Sequence, residues 1–404
     1  MCIDLNAGEK IYLDHAATTP VLPEVLDVMV DVYRHHPGNP SSLHGIGQDA
    51  REIVERARAT VARCIGAMPE EIVFTGSGTE SDNIAIQGAA LAGRKRGNHV
   101  ITSAIEHPAV LNTVKQLEAG GFKTTAVPVN ADGILDMEKF RAAITPETIL
   151  VTIMHANNEI GTIQPIAEIG EICAARGIVF HTDAVQSFGK ISTDPSKLGV
   201  DMLSASAHKI YGPKGVGFLY IKGGGFTKKI GKYVQPIIHG GGHERGFRPA
   251  TENVAGIAGL AKACEIAFRD MSEESNREMA IRDWMIDRIL GEIDDSMLNG
   301  HRTKRLPNNV NVSMKYVEGE SMLLRLDLAG FEVSTGSACS SHNLKASHVL
   351  LAIGRDPETA HGSLRVTIGR STTKEMADRF VDTLKEIVSS LRAISPLASN
   401  KKAK

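Results

Sequence analysis

No apolar run in this sequence comes near the about 20 residues that a bilayer-spanning helix needs; "ILVTIM" (149–154) is far too short. The opening "MCIDLNAGEK" has no basic patch ahead of an apolar stretch and does not read as a signal peptide. Charge of one sign is also missing. Lys and Arg number 45 against 47 Asp and Glu, a net charge of −2, which gives no electrostatic case for nucleic acid or a membrane surface. Cysteine is scarce, and its five positions (2, 64, 173, 264 and 339) form neither a disulfide framework nor a CxxC metal site. Free thiols in a reducing cytoplasm are the expectation. Cys64, Cys173 and Cys264 fall in apolar helical stretches, where a small buried thiol is common. No internal repeat or low-complexity tract is present.

What is present is an alternating pattern in a chain of 404 residues, long enough for two domains. From about 70 to 222, strand-length apolar runs alternate with amphipathic helical stretches: "EIVFTG", "HVITSAIEH", "ILVTIMHANNE", "IVFHTDAVQ", "DMLSASAHK" and "GVGFLYIK". That alternation predicts an α/β fold with a mostly parallel sheet flanked by helices, and function at the carboxyl ends of its strands. A long helix near 262–292 leads into a smaller α+β part with strands "NNVNVSM" and "SLRVTIG".

Polar residues gather at those strand ends. In "FTGSGTESDN" (74–83) a glycine turn joins a strand to a helix, where backbone N–H groups and the Thr79 hydroxyl would bind an anion. A plain turn with a helix cap would read the same, and neither a P-loop nor GxGxxG is complete. "FHTDAVQ" sets Asp183 and Gln186 just past a buried strand, as a helix cap or as a carboxylate aimed at a cofactor's ring nitrogen. In "SASAHKIYGPKG" (204–215) Lys209 ends a small-residue strand. A surface lysine is the default there; desolvation would instead free its amine for Schiff-base chemistry. A phosphate cradle, an acid for a pyridinium nitrogen and an activated lysine are together what pyridoxal 5'-phosphate requires.

With these motifs assembled, the chain resembles the class V, fold-type I aminotransferases, and among them the cysteine desulfurases of the NifS/IscS kind. The resemblance runs through "YLDHAATTP", "GNPSSLH", "EHPAV", "HANNEIGTIQPI", "HTDAVQ", "SAHKIYGPKGVG", "GGGHERGFRPATEN", "STGSACSS" and "SLRVTIGRSTT" in order. It implies a pyridoxal-phosphate-binding large domain over 20–265 and a small C-terminal domain over 266–395. An N-terminal segment, 1–19, would pack with the small domain, and 396–404 would form a polar tail. It implies that Lys209 links covalently to the cofactor, Asp183 pairs with the pyridinium nitrogen, and Gln186 contacts the ring oxygen. His107 would lie over the ring, although a residue before a helix-starting proline needs no such role. Gly78, Thr79, Ser206 and His208 would hold the phosphate. Asn158, also among the cofactor contacts, and Arg365 would hold the substrate carboxylate. Thr251 would reach the phosphate of a partner subunit's cofactor, implying a homodimer. Many relatives carry Gly where this chain has Ala250, which bears on the loop placing Thr251; the run "HNLKAS" after Cys339 bears on partner choice.

The resemblance also gives Cys339, set among Ser, Gly and Ala in "STGSACSSHNLKAS", a role. Its thiolate would take sulfur from L-cysteine, releasing alanine and leaving a persulfide for acceptors such as an iron–sulfur scaffold. An ordinary loop cysteine is the alternative. Cys339, His342 and His348 fit no common zinc spacing. A transient [2Fe–2S] cluster ligated partly by Cys339 and shared with a scaffold is compatible with the resemblance. Competing activities are an aminotransferase or a selenocysteine or cystine lyase on the same cofactor, and a non-catalytic sulfur-relay protein on a degenerate fold. A protein thiol is not needed for transamination, and a degenerate copy should have lost one of Lys209, Asp183, His107 or Arg365.

Overall fold

The computed structural model describes residues 10–227, 231–335 and 346–395. After a short β1 (Ile11–Tyr12), the chain lays down β2 (Ile72–Thr75), β3 (His99–Ser103), β4 (Lys123–Val127), β5 (Thr148–Thr152), β6 (Val179–Asp183), β7 (Met202–Ser206) and β8 (Gly217–Ile221). The last seven form one sheet in the order β2-β8-β7-β6-β5-β3-β4. β8 runs antiparallel to both neighbours and every other pairing is parallel, so the expected mostly parallel α/β sheet is what forms. β5 to β8 are buried along their whole length, as strands covered by helices on both faces must be. Successive side chains go to opposite faces. Val179, Met202 and Leu219 pack with Ile84, Ala85 and Ala89 of the helix Gly78–Gly93 on one side. Phe180, Leu203 and Phe218 pack with Ile169 and Cys173 of the helix Ile166–Arg176 on the other. Lys123 on edge strand β4 is exposed, a charge where unpaired backbone would otherwise invite another strand.

β9 (Phe226–Thr227) and β10 (Gly231–Lys232) make a small antiparallel pair. Past them, β11 (Ser296–Leu298), β12 (Asn309–Met314) and β14 (Ser363–Thr367) form a second, antiparallel sheet, while β13 (Phe331–Glu332) pairs with β1. The helix Val254–Glu292 crosses the expected 265/266 boundary without a break. Its first half puts Leu260, Cys264 and Ala267 into the core under the large sheet. Its second half puts Met285, Ile286 and Ile289 into a separate core with Val312, Leu364 and Phe380, which Ile11 and Leu13 also join. The short helices His348–Ala352 and Pro357–His361 pack instead on Ile105, Met154 and Ile160, beside the large sheet.

A buried ion pair holds the stretch leading to Thr251. The Arg58 guanidinium grips Glu244 bidentately, both contacts 2.8 Å, and Glu244 also accepts the Phe74 N–H at 2.7 Å. Six residues on, Ala250 takes φ of +102°, a conformation that favours glycine. Ala250→Gly should therefore stabilise the protein by about 1 kcal/mol. An unchanged denaturation midpoint would contradict strain at that position.

Candidate active site

Parallel strands open their carboxyl ends along one edge of the sheet, and there the chain builds a cleft of about 360 Å³. β2 delivers Ser77, Gly78 and Thr79, β6 delivers Asp183 and Gln186, and β7 delivers Ser206, His208 and Lys209. His107 follows β3, Asn158 follows β5, and Arg365 comes from β14; Ala16 and Ala17 close the side. Ten of the twelve residues singled out in the sequence thus line one cavity. Gly78 permits this closeness, because a Cβ there would lie 2.5 Å from Val185 Cγ2, just past Asp183. The Ser77 hydroxyl caps this helix by accepting from the Glu80 N–H at 3.1 Å, leaving the N–H groups of the first turn at the cleft.

Lys209 Nζ enters the cleft and donates to the carbonyls of Ala16 (2.6 Å) and Ala17 (2.7 Å). Asp183 is buried and accepts the Val185 N–H at 2.9 Å. Burial raises its pKa, while His107 and Lys209 draw it back. His107 caps the helix Pro108–Ala119, its Nδ1 accepting from the Ala109 N–H at 3.1 Å. The proton of the neutral ring therefore sits on Nε2. Burial lowers the His107 pKa against the pull of Asp183. Burial, helped by Lys209, Lys214 and Lys190, brings His208 down to about 4, so it is neutral near pH 7. Gln186 Nε2 donates to the Ala16 carbonyl at 2.9 Å, which fixes its amide. Arg365 is buried; Nη1 donates to the Asn158 carbonyl at 3.2 Å, Nη2 to Asp14 Oδ1 at 3.0 Å, and Nε has no hydrogen-bond partner. A carboxylate entering the cleft would meet a cation already aimed and only partly used.

Three acids escaped the sequence reading. Asp14 neutralises Arg365 across 351 positions, a contact no local pattern signals. Asp82 lines the cleft with its Oδ1 unbonded, and burial together with the charge of Asp183 pushes its pKa well up. Its place was legible, three residues after Thr79 on the same helix face. Glu106 is buried beside His107, accepts from Ser103 Oγ (2.5 Å) and the Met154 N–H (3.0 Å), and rises to about 8 through burial.

Two expected residues are not among those lining the cleft. Thr251 is exposed. Cys339, with His342 and Cys2, lies outside the described residues. His348 donates from Nε2 to the Glu106 carbonyl at 3.0 Å, and among the described residues no group of three His, Cys, Asp or Glu could hold a metal ion. Among them, too, no helix is long and apolar enough to cross a membrane.

Donors for an anion, a buried acid for a basic ring nitrogen and an amine for an electrophilic carbon thus share one wall. The family model for aminotransferase class-V matches residues 11–380. The chain belongs to this family. It is 51% identical over 387 residues to a protein named "Cysteine desulfurase IscS" from Dictyoglomus turgidum, covering 96% of each. A protein of the same name from Clostridium botulinum strain Hall is 49% identical, with 96% of this chain and 97% of the relative covered. Among solved structures, one titled "NIFS-LIKE PROTEIN" superposes with a TM-score of 0.87 at 39% identity, covering 94% of this chain and all of that one. The class-V fold accounts for the cleft's position at the strand ends.

Proposed function

We propose that this class-V protein is a pyridoxal 5'-phosphate-dependent cysteine desulfurase. The observation that carries the proposal is the convergence of Lys209, Asp183 and the N-terminus of the helix Gly78–Gly93 on one cleft; relatives at about half identity bear that activity in their names. The residues fit the cofactor. Gly78 leaves the close approach that a Cβ would fill, and its neighbours Thr79, Ser206 and His208 offer hydroxyl and imidazole groups for a phosphate. Asp183 would hold the ring nitrogen, Gln186 the ring oxygen and Lys209 the aldehyde carbon. Bound there, the cofactor would withdraw electrons from the substrate's α-carbon.

The chain's own residues would do the rest. Arg365 and Asn158 hold the substrate carboxylate; His107, neutral with its proton on Nε2, borders the ring and can donate a hydrogen bond there. The Cys339 thiolate attacks the substrate's sulfur, the carbon–sulfur bond breaks, and its electrons stay with the carbon, which takes a proton as alanine leaves. The cysteine then carries one extra sulfur as a persulfide. The direct test supplies L-cysteine to the purified, cofactor-loaded protein. Alanine and a one-sulfur mass gain on the peptide containing Cys339 are expected, and neither product would appear if the activity is misassigned.

Arg365→Lys keeps the charge beside Asp14 but loses the planar fork. Losing a hydrogen bond to a charged group corresponds to about a 10- to 100-fold rise in KM for cysteine, with cofactor content unchanged. An unaltered KM would remove Arg365 from the substrate site. We further propose a homodimer in which the exposed Thr251 serves the partner subunit's cofactor. Light scattering should give twice the chain mass of 43.3 kDa, whereas a monomer at full cofactor occupancy would contradict it. The persulfide would go to acceptors such as an iron–sulfur scaffold, with a transient [2Fe–2S] cluster on Cys339 as one form of handover. The free Cys64, Cys173 and Cys264 suit a reducing cytoplasm.

A further inference from the structure

A second cavity, of about 30 Å³, shares only Lys209 with the cleft and is lined among others by Lys190, Ser275 and Glu278. It is large enough for one water. Lys190 keeps some accessible surface as a residue, but protein encloses its ammonium. That ammonium donates to two backbone carbonyls, Gln186 at 3.1 Å and Lys209 at 3.2 Å. These are the residues expected to touch the ring oxygen and the aldehyde carbon of the cofactor. The Lys190 carbonyl in turn accepts from Ser275 Oγ at 2.6 Å, on the long helix Val254–Glu292. Glu278, one turn further along that helix and buried, faces the same cavity and is electrostatically linked to Lys190. Burial pulls the ammonium's pKa down while Glu278 holds it up, and burial raises that of Glu278 while Lys190 holds it down.

No other described side chain donates to both carbonyls. The turn Ala207–Lys209 is a single turn of 3-10 helix, which has poorer internal hydrogen bonds than an α-helix. Outside donors supplement them: Thr19 donates to the His208 carbonyl from its N–H (2.9 Å) and Oγ1 (3.1 Å), and Lys190 donates to that of Lys209. We infer that Lys190 is a positioning residue: its buried ammonium, on a residue whose carbonyl is held to the long helix by Ser275, clamps the backbones of Gln186 and Lys209 and fixes their two side chains relative to each other. The inference deepens the functional proposal and rests on its assignment of Lys209 as the covalent link.

Three variants of the full chain test it: Lys190→Met, Glu278→Gln and the double variant. Lys190→Met alone leaves Glu278 buried without its counter-charge and can fail to fold; the double variant removes both charges. In the cofactor-free double variant, amide hydrogen exchange across 205–212 should accelerate while the denaturation midpoint stays near that of Glu278→Gln. Titration with pyridoxal 5'-phosphate should show affinity reduced about tenfold or more. Circular dichroism of the visible band per bound cofactor, which reports a fixed orientation and not stability, should fall severalfold. Glu278→Gln, which keeps both donations, should retain parental exchange, affinity and dichroism. The inference is overturned if the double variant binds cofactor with parental affinity and dichroism, or if Glu278→Gln alone reproduces the losses. Borohydride reduction of the parent protein separates the two levels. A label on Lys209 with an unaffected double variant sinks only the clamp; a label on another lysine sinks the assignment of Lys209, and the clamp with it.

Discussion

Replacing Cys339 with alanine should stop sulfur transfer while leaving the fold and cofactor content as they are. Removing a covalent nucleophile costs several orders of magnitude in other enzymes, and a loss of roughly 10³-fold or more is expected here. No other thiol among the described residues can take over. Burial pushes Cys64 up to about 11, which keeps it protonated near pH 7. Cys173 and Cys264 are buried in the core beneath the sheet, and burial raises both further. Cysteine should therefore still bind the variant and perturb the cofactor's spectrum, but little alanine should follow. Alanine at a near-parental rate, or an added sulfur mapping to Cys64, Cys173 or Cys264 in the parent, would refute the assigned mechanism.

The contrast between Cys339 and the clamp shows what the sequence could disclose. Lys209, Asp183 and Gln186 follow from strands β7 and β6, short runs that read as buried strands even with His181, Thr182 and Ser204 inside them, because each lies at or just past the strand's carboxyl end. Thr79 and His107 are local in the same way, each beside a turn that opens a helix. Contacts across long separations leave no such trace. Asp14 meets Arg365 351 positions away, and Arg58 meets Glu244 across 186. Lys190 lies 19 positions from the carbonyl it holds at Lys209, and its sequence surroundings do not distinguish it from a surface lysine. The passage between the two cores is a case of a different kind. Helix Val254–Glu292 changes its core partner between Ala267 and Ile281, across the polar run "RDMSEESNRE" (269–278), while the backbone stays helical throughout.

Lys209→Ala should abolish the covalent attachment of the cofactor while sparing most of the fold. The side chain is half-buried at the cleft, and its loss leaves the Ala16 and Ala17 carbonyls facing space that water can enter. The stability cost should be about 1 kcal/mol, that of a typical hydrogen bond. Thr79, Ser206 and His208 remain, so cofactor should still bind without a bond to protein. Turnover should fall on the order of 10³-fold or more, because the amine is also a cleft group able to move a proton at the substrate's α-carbon. Borohydride reduction and digestion provide the check: the parent should yield one labelled peptide containing Lys209, and the variant none. Lys190 is the instructive competitor, since it is buried only 19 residues away. Each ammonium donates to two carbonyls, but Lys209 lines the cleft whereas Lys190 lines only the second, small cavity. A label on Lys190 in the parent protein would mean that the wrong lysine has been placed at the cofactor.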